Sequence, residues 1–69
     1  MIDARGLSCP QPVILLKNAV EKTREEHYEI LTDNMPCVEN VCRFAANAGY
    51  RTEYKKEEGG EYRVTLTRQ

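Results

Sequence analysis

The sequence is poor in the features that mark several classes of protein. It has no tryptophan, one phenylalanine and one histidine, and its formal net charge of −1 provides no basic field for a nucleic-acid partner. No apolar run is long enough to cross a bilayer, and the opening Met1-Ile2-Asp3 is unlike a secretory signal, so we expect a cytoplasmic protein with no membrane partner. A 69-residue chain buries only about 60% of its unfolded surface. We therefore expect one domain, residues 1–69, whose chemistry lies on its surface.

The cysteine count is odd, with three cysteines and no secretory context. This favours reduced thiols over a disulfide scaffold. The single histidine, His27, and the three cysteines do not match the spacing of a zinc motif, so we expect neither a metal nor a cofactor.

One stretch has the composition of a loop that presents a reactive thiol, Gly6-Leu7-Ser8-Cys9-Pro10-Gln11-Pro12. Pro10 and Pro12 fit the first turn of a helix, where an N–H has no intrahelical partner. Proline also keeps the preceding residue out of the α conformation, so we expect Cys9 to be extended at or near the N-cap. There the backbone N–H groups and the helix dipole favour the thiolate, which is the nucleophile. We predict that Cys9 is exposed and reactive and that Gly6, Pro10 and Pro12 shape its loop; otherwise the prolines only mark the helix start and Cys9 is a structural thiol.

Hydrophobic periodicity divides the chain into six regular elements. Alternating residues predict strands at 1–5, 27–33, 50–57 and 62–67, with a hairpin turn at 58–61. Helical periodicity predicts helices at 10–24 and 35–48, the second starting after Asp33-Asn34 and stopping at Gly49. The apolar face of the first helix is predicted to contain Val13, Leu15, Leu16, Ala19 and Val20.

The order βαβαββ predicts a two-layer α/β sandwich, because right-handed crossovers place both helices on one face of a four-stranded sheet. Parallel first and second strands then put both helix N-termini at the same edge. This edge would carry Cys9 and also Cys37, in the first turn of the second helix. Cys37 is thus either a packed residue or a second reactive thiol, a resolving or relay partner for Cys9. The Cα atoms of Cys37 and Cys42, five residues apart on the helix, would be about 8.5 Å from each other, too far for a disulfide, and Cys42 is expected to pack in the core.

The residues from Asp3 to Pro12 resemble the signature of the TusA-like (SirA-like) sulfur-carrier family, Cys-Pro-x-Pro after a short strand that ends in glycine. The resemblance extends over essentially the whole chain, because length and element order also agree. It implies a mixed sheet in a sandwich similar to the C-terminal domain of translation initiation factor three. It also implies that Cys9 accepts a sulfane sulfur from a cysteine desulfurase as a persulfide and passes it to an acceptor protein, a sulfurtransferase-type carrier acting with partner enzymes.

Within that family, the stretches Ile2 to Leu7, Asp33-Asn34 and Arg43 to Ala45 are most similar to the YedF-like subgroup. Members of that subgroup are often associated with selenium metabolism and carry a further C-terminal domain. The 69-residue sequence matches only the first domain of such proteins, so we expect either a stand-alone carrier or an N-terminal module. A selenium-linked carrier is one alternative function. A non-catalytic interaction module, in which Cys9 is incidental, is the other.

Two residues near Cys9 have both a functional and an ordinary interpretation. Arg5 could support the thiolate electrostatically, or be a solvated residue at a strand end. Ile14 is a large apolar residue on the polar side of the first helix, one turn from Cys9. It is either a docking contact for the donor and the acceptor or an isolated surface residue.

Overall fold

A computed structural model describes residues 2–69, so Met1, the first residue of the first predicted strand, lies outside the described residues. The elements in chain order are β1 (Ile2–Asp3), α1 (Gln11–Thr23), β2 (His27–Thr32), α2 (Met35–Asn47), β3 (Tyr50–Lys56), a short 3₁₀ turn (Glu58–Gly60) and β4 (Tyr62–Arg68). This order confirms the predicted βαβαββ arrangement. Each of the two helices has 13 residues, and neither is long and apolar enough to cross a membrane.

The four strands form one mixed sheet in the order β1-β2-β4-β3. β1 pairs parallel with β2, whereas β4 pairs antiparallel with both β2 and β3. β2 and β3 therefore run in the same direction on either side of β4. Because β1 and β2 are parallel, their C-terminal ends lie at the same edge of the sheet. α1 and α2 begin after these two ends, so both helices start at that edge, as predicted.

The core lies between the helices and the sheet. Its fully buried side chains come from both helices and from β2 and β4, and the largest of them are Leu16, Ile30, Leu66, Val38, Val41 and Val64. The predicted burial of Leu15 was wrong, since its side chain is 38% exposed. The buried line of α1 runs through residues 12, 16 and 20, and Leu15 is turned by about 100° from Leu16 around the helix axis.

The helix boundaries differ slightly from the prediction at α1 and agree closely at α2. Pro10 is the N-cap of α1 with non-helical φ and ψ of −98° and 20°, so the helix begins one residue later, at Gln11. Asn34 is the N-cap of α2, and its side-chain oxygen accepts a hydrogen bond from the Cys37 N–H at 3.0 Å. This bond satisfies one of the donors that a helix start leaves open.

Candidate functional site

The loop between β1 and α1 is held by three backbone hydrogen-bond donors. The Ala4 N–H donates to the Leu31 carbonyl at 2.8 Å, which continues the β1–β2 pairing by one residue. The Leu7 N–H donates to the Ala4 carbonyl at 3.3 Å and closes a turn. Gly6 occupies the third position of that turn with φ of +79°, a conformation that glycine adopts without the penalty of a Cβ. Its N–H donates to Asp33 Oδ2 at 2.7 Å. The observed β1 is thus shorter than the predicted strand at 1–5, and Arg5 belongs to the turn that follows it.

Cys9 lies in the turn immediately before α1 and is partly exposed. The Cys9–Pro10 peptide bond is cis. The Ser8 carbonyl already accepts a hydrogen bond from the Gln11 N–H at 2.9 Å, and Pro12, the second helical residue, has no N–H. Few N–H groups are therefore left unbonded in front of the thiol, because Gln11 already donates to the Ser8 carbonyl and Pro12 has no N–H.

The nearest functional group to Cys9 is a second cysteine. Cys9 and Cys37, 28 residues apart in sequence, form a disulfide, and their Cα atoms lie 5.5 Å apart. That separation is ordinary for bonded cysteines. The expectation that all three thiols are reduced was therefore wrong for this state of the molecule, because cysteine count and compartment carry no information about distance. Cys42 is free and partly buried against the core.

The two bonded cysteines differ in their access to solvent. Cys37 is the third residue of α2 and is completely buried. Cys9 is only half-buried and is flanked by Ser8 and Pro10, which are both exposed. A partner protein can therefore approach this pair only from the side of Cys9.

Arg5 is engaged by two carboxylates. Its guanidinium donates to both oxygens of Asp3, at 2.9 and 2.8 Å, and to Glu61 Oε2 at 3.3 Å. Hydrogen bonding to Arg5 lowers the pKa of Asp3 to about 2, and the same contacts raise the pKa of Arg5 above its usual value. This cluster pins the β1 end of the loop to the residue before β4. Support of the Cys9 thiolate by Arg5 remains a prediction.

An exposed apolar surface lies on the first turn of α1. Ile14 is 41% exposed, as the sequence predicts, and the neighbouring Leu15 is exposed with it. The Ile14 N–H donates to the Pro10 carbonyl at 3.1 Å, so this residue is fixed relative to the turn that carries Cys9. Of the two prolines, Pro10 is exposed whereas Pro12 is buried.

Two residues at the end of β2 were not predicted as part of this region. Asp33, expected only as a cap signal, joins the Gly6 loop to the start of α2 through its carboxylate. Thr32 is completely buried, and its hydroxyl has no hydrogen-bond partner among the described residues. A strand that ends in a polar residue before a helix cap is the sequence signal for Asp33; we see none for Thr32. No group of three or more His, Cys, Asp or Glu side chains within residues 2–69 is arranged to hold a metal ion.

Comparison with known proteins agrees with this geometry. The family model described as Sulfurtransferase TusA matches residues 1–68. The chain belongs to the TusA family. Its relatives include the "Putative sulfur carrier protein" of Methanocaldococcus jannaschii, 36% identical over 66 residues, which cover 94% of this chain and 88% of that protein.

A crystal structure of a SirA-like protein from Desulfitobacterium hafniense has the same fold. It superposes with a TM-score of 0.87 at 35% sequence identity, over 96% of this chain and 92% of that one. The predicted fold and the predicted family are both confirmed. The assignment to the YedF-like subgroup stays a prediction.

Proposed function

We propose that this TusA family member carries sulfur on Cys9, which accepts a sulfane sulfur from a cysteine desulfurase as a persulfide and passes it to an acceptor protein. The observation that carries the proposal is the position of Cys9, half-exposed in the turn that opens α1. The positive end of a helix dipole stabilises an anion at this position, whether thiolate or persulfide. Membership of a family of sulfur carriers supports the same assignment.

The surroundings of Cys9 favour a carrier over an enzyme with its own substrate pocket. A cleft of about 440 Å³ lies at the other end of the molecule and is lined by Ile2, Lys22 and His27 among others, without Cys9. A second cleft, of about 380 Å³, lies on β3 and β4 and also excludes it. The chemistry at Cys9 would therefore be completed inside a partner's active site.

The disulfide sets a condition on this function. A Cys9 sulfur that is bonded to Cys37 cannot accept another sulfur atom, so the carrier must first be reduced. Cys42 is outside this bond, and we do not expect loading to require it.

The test is loading by a cysteine desulfurase and cysteine, followed by the intact mass. It is performed in the Cys37→Ser variant, whose Cys9 cannot be held in the disulfide, and in the Cys9→Ser/Cys37→Ser double variant. We expect a gain of one sulfur atom in the first protein and none in the second. An equal gain in both, or no gain under conditions that load a known carrier, would contradict the proposal and favour a non-catalytic interaction module. A selenium cargo would use the same thiol, and replacing the donors by selenocysteine and a selenocysteine lyase tests it.

A further inference from the structure

We propose that Cys37 is a resolving thiol, which displaces the sulfur carried by Cys9 as sulfide and so gives the carrier a second outlet besides transfer to a protein. This inference rests on the proposed function, because it requires a persulfide on Cys9. The decisive relationship is the Cys9–Cys37 pair itself, with Cα atoms 5.5 Å apart. The fold holds two cysteines that are 28 residues apart at bonding separation, with no need for the backbone to move.

Three features of the scaffold fix that separation. Parallel pairing of β1 and β2 brings the starts of α1 and α2 to one edge of the sheet. Asp33 accepts a hydrogen bond from the N–H of Gly6 and so links the two loops that precede the helices. The Asn34 side chain caps α2 through the N–H of Cys37 itself. These contacts hold the loop that carries Cys9 and the start of α2, and none of them depends on the sulfur–sulfur bond.

The difference in burial assigns the two thiols different tasks. Cys9 is half-exposed and can meet a donor, whereas Cys37 is fully buried and can meet only Cys9. Burial disfavours the charged form of Cys37, but the residue lies in the first turn of α2, where the positive end of the helix dipole opposes that cost. A thiolate at this place attacks the bridging sulfur of a Cys9 persulfide, because bonding to that atom gives the observed disulfide.

The step is balanced without an external oxidant. The Cys37 sulfur forms a bond to Cys9 Sγ, the bond between Cys9 Sγ and the carried sulfur breaks, and that sulfur leaves with the electron pair as hydrosulfide. The sulfane sulfur is reduced to sulfide while the two cysteine sulfurs are oxidised to the disulfide. A further cycle requires a dithiol reductant of the thioredoxin class, or a low-molecular-weight thiol, to restore both cysteines.

The experiment mixes the reduced protein, without oxygen or free thiol, with a desulfurase that has been preloaded with sulfane sulfur and freed of cysteine. Sulfide in solution is measured together with the mass of the carrier and of its linked peptides. For the wild-type chain we expect one sulfide released for each Cys9–Cys37 linkage formed. In Cys37→Ser we expect the persulfide to persist, with sulfide release slower by about a hundredfold, since an intramolecular thiol acts at a high effective concentration. Cys42→Ser, on the same helix, should behave like the wild type.

The outcomes separate this inference from the function on which it rests. If wild type and Cys37→Ser both load and both keep the persulfide, Cys37 does not resolve it, and the carrier function stands. A linkage that forms without an equal amount of sulfide also overturns the inference. If neither protein takes up sulfur, the proposed function fails and the inference with it. The wild-type measurement decides the question even if Cys37→Ser does not fold, and Cys37→Ala provides a second variant without a buried hydroxyl.

Discussion

The backbone N–H of Gly6 donates a hydrogen bond to the side chain of Asp33 at 2.7 Å, across 27 residues of sequence. This bond connects the loop that carries Cys9 with the loop that precedes α2 and Cys37. A carboxylate that accepts from a backbone N–H makes a stronger hydrogen bond than a neutral acceptor does. The bond is exposed to solvent, which reduces its contribution to the free energy of unfolding.

Replacing Asp33 should therefore loosen the site more than it destabilises the fold. We expect Asp33→Ala to lower the free energy of unfolding by about 1 kcal/mol and to slow formation of the Cys9–Cys37 disulfide from the reduced protein. Urea denaturation and the rate of disulfide formation under a fixed redox buffer measure the two effects. Asp33→Asn is the matched control, since it keeps an acceptor and should retain part of both. An Asp33→Ala variant that closes the disulfide at the wild-type rate would show that the bond does not position the cysteines.

The positive φ of Gly6 gives a second prediction. A Cβ at this position would meet no atom within 4 Å, so Gly6→Ala is opposed only by the left-handed backbone conformation at φ of +79°. The expected loss is about 1 kcal/mol in the free energy of unfolding, with slower loading of Cys9 because its loop must adjust.

Gly59 provides the control for this substitution. It has φ of +77° and equally open surroundings in the turn before β4. Gly59→Ala should lose a similar amount of stability in urea denaturation yet load Cys9 at the wild-type rate. Equal loading rates for the two variants would mean that Gly6 shapes the chain without shaping the site.

The fold could be predicted from the sequence because the signals for its helices, strands and turns are local. Alternation in β4, the cap at Asn34 and the stop at Gly49 each depend on a few adjacent residues, and all three agree with the structure. Right-handed crossovers then limit how such elements can be arranged. Burial of Leu15 could not be predicted in the same way, because it depends on how α1 is rotated against the sheet.

The candidate site could be predicted from the sequence only in part. Parallel pairing of β1 and β2 places Cys9 and Cys37 at one edge, but whether they bond depends on side-chain distances that no periodicity contains. The hydrogen bond from Gly6 to Asp33 is of the same kind, since it joins two loops that are distant in sequence. The proposed roles of Cys9 and Cys37 depend on these long-range contacts. They are therefore tested by measuring sulfur loading, sulfide release and disulfide formation.

Acid should weaken the fold through Asp3. Its pKa is about 2 in the folded chain against an ordinary value of 3.8, because Arg5 hydrogen-bonds the carboxylate. The folded state therefore binds fewer protons than the unfolded state between these values, and stability falls as the pH is lowered through them. Asp3→Asn should be less stable than wild type at neutral pH, and the difference should shrink as the pH is lowered toward about 2 and through it. Urea denaturation between neutral pH and pH 2, with Arg5→Gln and the double variant, measures the coupling. A difference that stays constant with pH would assign the effect to packing instead.

The exposed apolar surface beside Cys9 leads to a prediction about docking. Ile14 is 41% exposed on the first turn of α1, so Ile14→Asp should leave the free energy of unfolding within about 0.5 kcal/mol of wild type. If a sulfur donor covers this residue, burying a carboxylate there is costly, and transfer from the desulfurase should slow by about tenfold or more. Tyr54→Thr removes an exposed apolar side chain from β3, where 54% of Tyr54 is accessible, and should transfer at the wild-type rate. Transfer rates from a preloaded desulfurase to the three reduced proteins decide the matter: an unchanged rate for Ile14→Asp would leave Ile14 an ordinary surface residue.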